Sequence, residues 1–560
     1  MPADPIAVLA RYRQLKAERA TFDARWEEMA PFVAPSRVRI TTRTLAGGQK
    51  QTRGVYDSTT MLAAETMAMF VAGNIINPGQ QWMSYGMSHP EVGDRDDVQE
   101  WLEECRDRQL AVYARSMFYA EGPESLIDWC GFGTGCLLGE EAPQPVNRVI
   151  QGFRGMYFSA QRTGHFVISE GADGLADTLM REFELTARVA KARWPTTSSQ
   201  AVTMAAQKEP DRPFRFVHAI VPRGTADQHQ AGALGMPWAS LWMELEAKTL
   251  CHEGGYRMFP VAVPRFSRTA GEVYGRGRGD LAFPDTWSLN MAKKMGFEDW
   301  ALKIRPPVFG RHDAVIGTLR LTPAGYTPVN TRGAPVRDAL MAWETGSNPQ
   351  VSQIKEEEIR RTIREIFYVD AIRQLLEMHK SEMSAFEYQK KLGLLFTLIG
   401  PTYGRFEREG LRPIVDIGFD VMLHAGAFSP PPPAVYATDG QIDVVFENPI
   451  ARAQRAGDAE ALLLVANDLA PFAQFFPQAW DRIDPDKTTS GVLRRRGFPA
   501  RWTRSDDEVA ALRAERLKHD EQANMMAQVG AAAQAAGQAA PLVKALSEKA
   551  GTQAGAAMLG

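Results

Sequence analysis

The stretch PDTWSLNMAKKMGFEDWALKI at 284–304, halted by Pro306-Pro307 and answered by NPQVSQIKEEEIRRTIREIF at 348–367, decides how the rest of the chain is read. Pro284 suits a first helical turn, where its missing N–H leaves no bond unmade, and the run to Ile304 gives a helix about 30 Å long at ~1.5 Å per residue. Asn348-Pro349 is a cap followed by proline at the first helical position. The second helix sets an apolar stripe of Ile359, Ile363, Ile366 and Phe367 against Lys355, Glu356, Glu357, Glu358, Arg360, Arg361 and Arg364. Between them, Val308 to Gly346 is rich in Gly, Pro and Thr. Its short runs Ala314-Val315-Ile316 and Leu319-Arg320-Leu321 suggest a small β excursion. Helix out, β-rich head, helix back describes a stalk whose two helices lie side by side and antiparallel.

Upstream, Val8 to Ala30 reads as one helix, with Leu9, Tyr12, Leu15, Arg19, Phe22 and Trp26 at spacings of three and four, ended by Pro31 and Pro35. Thr41 to Thr52 should be a loop. Asp57 or Ser58 can cap a nearly uncharged helix over 59–76, which Asn77-Pro78-Gly79 stops. Helices are expected over Asp96–Phe118 and from Pro123 to Gly131. Residues 150–260 alternate like strands, with a helical interruption at Thr186–Trp194.

Downstream of the stalk, Asp370 to Met383 reads as less regular. Ser384-Ala-Phe-Glu387 is a capping box opening a helix to Ile399, and a further helix passes through Ile414 to Phe419. Pro430 to Pro433 is a rigid spacer, 441–447 a strand, and 451–522 helical, with a second capping box at Ser505-Asp-Asp-Glu508. Met525 to Gly560 is a weak helix or disordered; the residues alone leave both readings open.

A length of 560 residues calls for two to four packed units. Apolar residues at 44% and charged residues at 23% place the chain among globular proteins. No uninterrupted apolar run is long enough for a membrane span, and Met1 to Arg13 lacks the layout of a secretion signal. Folding in a cytoplasm is the simplest expectation. Cys105, Cys130, Cys136 and Cys251 show no CxxC pairing and read as buried thiols. With 64 basic and 67 acidic residues the net charge is −3, and no long Lys/Arg run exists. If this chain handles DNA, it does not grip it.

Motifs that carry chemistry are scarce. There is no GxxxxGK[ST], so no ATPase is expected. Gly131-Phe-Gly133-Thr-Gly135 lacks dinucleotide spacing and reads as a tight packing turn. Tyr274-Gly-Arg-Gly-Arg-Gly-Asp280 reads as a flexible basic hinge before the stalk, with phosphate contact as the second reading. His165 and His379 read as structural, and Cys251-His252 has no partner acid. Asp481, Asp484 and Asp486 mark a helix-start turn or, less simply, a cation site. Glu356-Glu357-Glu358 reads as a solvated helix face. No catalytic residue, metal site or cofactor is expected.

Several segments in fixed order resemble the bacteriophage head-to-tail connecting proteins, the portal family of short-tailed phages. They are Trp26-Glu-Glu-Met-Ala-Pro-Phe, Tyr56-Asp-Ser-Thr-Thr with the helix ending Asn77-Pro78, and Phe132-Gly-Thr-Gly135. Asp177-Thr-Leu-Met-Arg-Glu-Phe183, Glu272-Val-Tyr-Gly-Arg-Gly277 leading to Pro284-Asp and Leu289-Asn290, and Pro306-Pro307 follow. Arg364-Glu-Ile-Phe-Tyr368, Met383-Ser-Ala, Asn448-Pro449 to Gln454 and the Asp481–Asp486 segment complete the set, spanning about 25–520. Arg278-Gly-Asp280 departs from the more apolar continuation expected there.

The resemblance implies a mixed α+β, mainly α portal fold. Its parts would be a wing over 1–283 and 384–450, a stem of helices 284–305 and 348–368, and a clip over 306–347. A tunnel loop at 369–383, a crown over 451–524 and a tail over 525–560 would complete it. It implies a homo-oligomeric ring, typically dodecameric, at one capsid vertex of the virion, assembled in the host cytoplasm. Double-stranded DNA would slide through it non-specifically during packaging and ejection. Terminase large subunit, a tail adaptor, and the major capsid and scaffolding proteins would be its partners, with no membrane involved. DNA-channel positions would be Arg373, His379, Lys380 and Glu382 in the tunnel loop. Lys293, Lys294, Lys355 and Arg360 in the stem would face the channel or a neighbouring subunit. Arg311, His312, Arg320, Arg332 and Arg337 of the clip would meet terminase and adaptor. A tail-ring adaptor, another structural assembly protein or a packaging enzyme stay open on the residues alone.

Overall fold

The structure, a computed structural model, describes residues 4–37, 40, 51–52, 54–93, 95–143, 153–224, 231–310, 315, 328–331, 333, 335, 340–342, 346, 349–378, 400–437, 441–446, 484, 486, 488–489, 502–504 and 508–526. Helices α1 (Pro5–Glu18), α2 (Ala20–Val33) and α3 (Thr59–Ile75) precede strand β1 (Met83–Met87), then come α4 (Pro90–Gly93), α5 (Asp96–Arg115) and α6 (Phe118–Phe132). Strands β2 (Leu137–Glu141), β3 (Met156–Ala160), β4 (Phe166–Glu170) and β5 (Ala176–Thr186) lead into α7 (Ala187–Arg193) and α8 (Gln200–Lys208). Next are β6 (Pro213–Pro222), β7 (Trp238–Glu244), β8 (Leu250–Tyr256), β9 (Val261–Ala262) and α9 (Arg278–Ile304). The hairpin β10 (Val308–Gly310) and β11 (Leu340–Ala342) joins α9 to α10 (Pro349–Ile366). Helices α11 (Val369–Met378), α12 (Arg412–His424) and α13 (Pro433–Ala437) and strand β12 (Ile442–Phe446) follow.

All strand pairings are antiparallel among the described residues. A five-stranded meander runs β4-β5-β6-β7-β8, a three-stranded sheet is ordered β3-β2-β9, and β1 pairs β12 across the length of the chain. The period-two alternation gives the meander two apolar faces. On one, Met180, Val217 and Leu241 meet Leu9, Tyr12 and Leu15 of α1. On the other, Phe214, Phe216 and Trp242 meet Ala187 and Ala190 of α7, Trp194 just after it and Val202 of α8. The main core gathers Trp26, Trp129, Tyr113, Phe118 and Phe158 around α3, whose Ala63, Ala64, Met67, Ala68 and Val71 are buried as its lack of charge predicts. Asp57 Oδ1 starts α3 by accepting from Thr59 N at 2.9 Å.

Several boundaries differ from the sequence reading. The helix expected over 8–30 is two helices meeting at Arg19. That side chain is 2% exposed, pairs with Asp23 at 2.8 Å and donates to Gly164 O at 2.8 Å, so the break lets it turn inward. Pro31 lies inside α2. The helix expected over 96–118 stops at Arg115, where Ser116 Oγ accepts from Phe118 N at 3.1 Å and opens α6, with Pro123 inside it. α9 begins at Arg278 rather than Pro284, because Asp280 Oδ2 accepts from Gly277 N at 2.9 Å and caps it earlier.

The glycine-rich segment 274–280 is not a flexible hinge. A Cβ on Gly277 would lie 2.5 Å from Gly131 O, and one on Gly133, at φ +91°, would lie 2.4 Å from the Arg276 carbonyl carbon. The two glycine turns approach backbone to backbone, which only glycine permits. The packing reading of 131–135 therefore holds. The less regular reading of 370–383 is also corrected up to Met378. α11 forms because Val369, Ile372 and Leu375, three residues apart, are all buried.

Four free cysteines are buried, as expected. Asp484 behaves as a turn residue: its Oδ1 accepts from Asp486 N at 3.0 Å and its carbonyl from Thr488 N at 3.0 Å. Residues 41–50 of the loop expected over 41–52, the capping boxes at 384 and 505, most of 451–501 and all of 527–560 lie outside the described residues.

Candidate assembly and channel site

The two helices predicted as a stem pack side by side and are cross-linked by charge. Lys293 Nζ of α9 lies 2.9 Å from Glu356 Oε2 of α10. Arg360 Nη2 reaches the same oxygen at 3.2 Å and Asp57 Oδ2 at 3.0 Å. Glu356 is 6% exposed, so it is a buried bridge between helices and not part of a solvated face. The segment just before α3 ties both helices together. Asn290 Oδ1 of α9 accepts from Tyr56 N at 2.7 Å, its Nδ2 donates to Gly54 O at 3.0 Å, and Asp57 holds Arg360 of α10. Burial pushes the Asp57 carboxyl up, but the bonds from Thr59 and the Arg360 guanidinium hold it below its ordinary value.

At the foot of the pair, Phe367 is fully buried and Tyr368 adopts φ 57°, a conformation bulky residues avoid. Its hydroxyl accepts from Arg278 Nη2, and the Arg278 guanidinium sits 4.7 Å from its ring and 5.2 Å from that of Phe266. The turn that swings α11 away from α10 is thereby locked to the first turn of α9.

Higher up, α9 presents large apolar side chains to solvent. Phe297, Trp300 and Ile304, three and four residues apart, share one flank, at 51%, 62% and 74% exposure. Trp287, Met295 and Leu302, eight and seven apart, share another, at 52%, 59% and 41%. Lys293, which reaches Glu356 of α10, is four residues before Phe297 and seven before Trp300, so the first flank continues the face turned to α10 and the second lies across the helix from it. α9 thus carries exposed apolar strips on two opposite faces.

The predicted channel and clip residues separate into four groups. Lys293 and Arg360 are held in ion pairs within the chain. Lys294 and Lys355 are exposed and, among the described residues, pair with neighbours on their own helices, Glu298 and Glu358. Arg373 is exposed on α11. His379, Lys380, Glu382, Arg311, His312, Arg320, Arg332 and Arg337 lie outside the described residues. The sequence reading missed the apolar flanks, although two tryptophans and a phenylalanine on a charged helix were a signal for them. Among the described residues no group of His, Cys, Asp and Glu could hold a metal ion, and no helix is long and apolar enough to cross a membrane.

The chain is 24% identical over 531 residues to the "Probable portal protein" of Bordetella phage BPP-1, covering 93% of this chain and 92% of that one. It is 24% identical over 537 residues to the "Portal protein" of Salmonella phage epsilon15, covering 94% of each. A chain of the solved structure "Virion of native gene transfer agent (GTA) particle" matches at 11% identity and a TM-score of 0.25, over 83% of this chain and 92% of that one; so low a score carries no argument about the fold. The family model described as "Bacteriophage head to tail connecting protein" matches residues 7–503. A match over that span, in the order the quoted segments require, shows that the chain belongs to the bacteriophage head to tail connecting protein family.

Proposed function

We propose that the chain is the subunit of a ring at one capsid vertex, through which double-stranded DNA enters and leaves the head. The observation that carries this reading is α9, which exposes large apolar side chains on two opposite faces. A subunit with two unlike lateral faces assembles head to tail, and the assembly closes when the rotation per subunit divides the circle. Each large apolar side chain removed from water at such a contact stabilises it by about 1.5–3 kcal/mol.

In this reading 306–347 is a clip that docks terminase large subunit and tail adaptor, 1–283 and 384–450 a wing against capsid and scaffolding proteins, and 451–524 a crown. A net charge of −3 suits a conduit, because each tight phosphate contact would add a barrier to sliding. Arg373, His379, Lys380 and Glu382 are then the groups nearest the DNA. The particle sits in the virion and forms in the host cytoplasm.

Negative-stain imaging and mass measurement of the purified protein test it. A closed ring of about twelve 62.0 kDa chains with a central opening is expected, and Met295→Glu with Trp300→Glu should leave monomers. A wild-type chain that stays monomeric under all conditions, or a ring unaffected by the double substitution, overturns it.

A further inference from the structure

Directly opposed positions on β5, β6, β7 and β8 place Arg181, His218, Trp242 and His252 in one row across the meander, on the face that α7 and α8 pack against. His218 is fully buried and stacked on the Trp242 ring at 3.8 Å and 10°. Its Nδ1 accepts from Arg181 Nε at 3.2 Å and its Nε2 lies 2.9 Å from Ser240 Oγ. A ring that accepts at Nδ1 carries its proton on Nε2 and is neutral. Burial first, then the charges of Arg181 and Arg193, keep its pKa well below the ordinary value.

Arg193, the last residue of α7, brings its guanidinium 4.1 Å from the Trp242 ring and 5.3 Å from that of Trp194. The Arg181 guanidinium lies 5.6 Å from the same Trp242 ring. Two cations therefore share one indole, and among the described residues neither is within ion-pair distance of a carboxylate. Glu140 acts on Arg193 from a distance, and its Oε2 accepts from Tyr256 Oη at 2.7 Å. Burial lowers the Arg193 pKa in spite of it. The buried arginines are matched, Arg19 with Asp23, Arg37 with Asp128 and Arg265 with Glu409, whereas Arg181 is half-buried and Arg193 exposed. The Arg181–Arg193 pair lacks what those have, an anion.

We infer that Arg181 and Arg193 form a binding site for a carboxylate-rich segment of a protein partner, with Trp242 as the platform that holds the guanidinium groups in place. Acidic peptide fits better than nucleic acid. Trp242 is only 6% exposed and offers no face to a base, and Glu140 at the border would repel a continuous polyanion. His252, exposed at the edge strand, extends the row outward and marks the side from which the segment arrives.

The test is fluorescence anisotropy of labelled hexaglutamate titrated with the full-length protein at low salt. Arg193→Gln should weaken binding roughly tenfold, Arg193→Lys less, and Arg188→Gln, an exposed arginine on the same helix, should leave it unchanged. Arg193 reaches solvent and props no buried group by a hydrogen bond, so it carries the test, with thermal unfolding as the check on folding; Arg181→Gln would also disturb His218. Equal binding by the Arg193→Gln and Arg188→Gln proteins overturns the site, as does absence of peptide binding. A short DNA duplex whose binding depends on Arg193 while the peptide's does not replaces the partner with nucleic acid and overturns the peptide assignment.

Discussion

Asp416 of α12 has its pKa raised from 3.8 to about 6 by burial, against the pull of Arg412. A carboxyl with a raised folded-state pKa favours the fold while protonated. That contribution is complete below about pH 4, fades as the pH rises through 6, and leaves a buried charge above it. Asp416→Asn should therefore raise stability by up to about 3 kcal/mol at pH 7 to 8 and make no difference near pH 4. Thermal unfolding of both proteins across that range checks it, and equal midpoints at pH 8 would refute it. Residue roles were the least legible level of the sequence. Glycine spacing at 131–135 announced a packing turn, but the segment that needs it, 274–280, is far away in the chain and was read as loose. Lys293 and Arg360 read as outward-facing because their partners, Glu356 and Asp57, meet them only through packing.

At the scale of elements, the α9–α10 pair rests on one carboxylate shared by two cations. Breaking a buried pair by removing one member leaves charge without compensation. Glu356→Ala should lower stability by about 3 kcal/mol, whereas Lys293→Met with Glu356→Met should recover most of that loss, since both charges leave together. Urea titrations of these two variants and the parent measure it; a double variant no more stable than Glu356→Ala would show that the pair is not coupled. Most helices were readable from apolar spacing, and the helix pair separated by a β excursion was readable from Pro306-Pro307 and the proline at 349. Helix limits were not. Pro31, Pro123 and Pro284 each lie inside a helix because a cap further upstream or a continuing buried face outweighs one missing hydrogen bond. α11 was hidden by the charges of Arg373 and Glu377, which obscured a stripe of Val369, Ile372 and Leu375.

At the scale of the molecule, the proposed conduit makes the segment after α10 the one that meets DNA. Replacing 373–382 with Gly/Ser should leave ring assembly intact and reduce packaged DNA, measured as the genome content of particles. Undiminished packaging would remove that segment from the channel. Composition alone already placed the chain among globular proteins, and the ordered segments from Trp26 to Asp486 were enough to mark the family, because short motifs in fixed sequence survive where each by itself is weak. Periodicity likewise marked most of the helices and strands, since side-chain spacing is a local property. Tertiary structure decided the rest: that Glu356 is a buried bridge, that two glycine turns interlock, that Tyr368 is locked by Arg278, and that Arg181 and Arg193 meet over one indole. Each of these depends on which distant residues are brought within a few ångströms, and packing settles that over the whole chain at once.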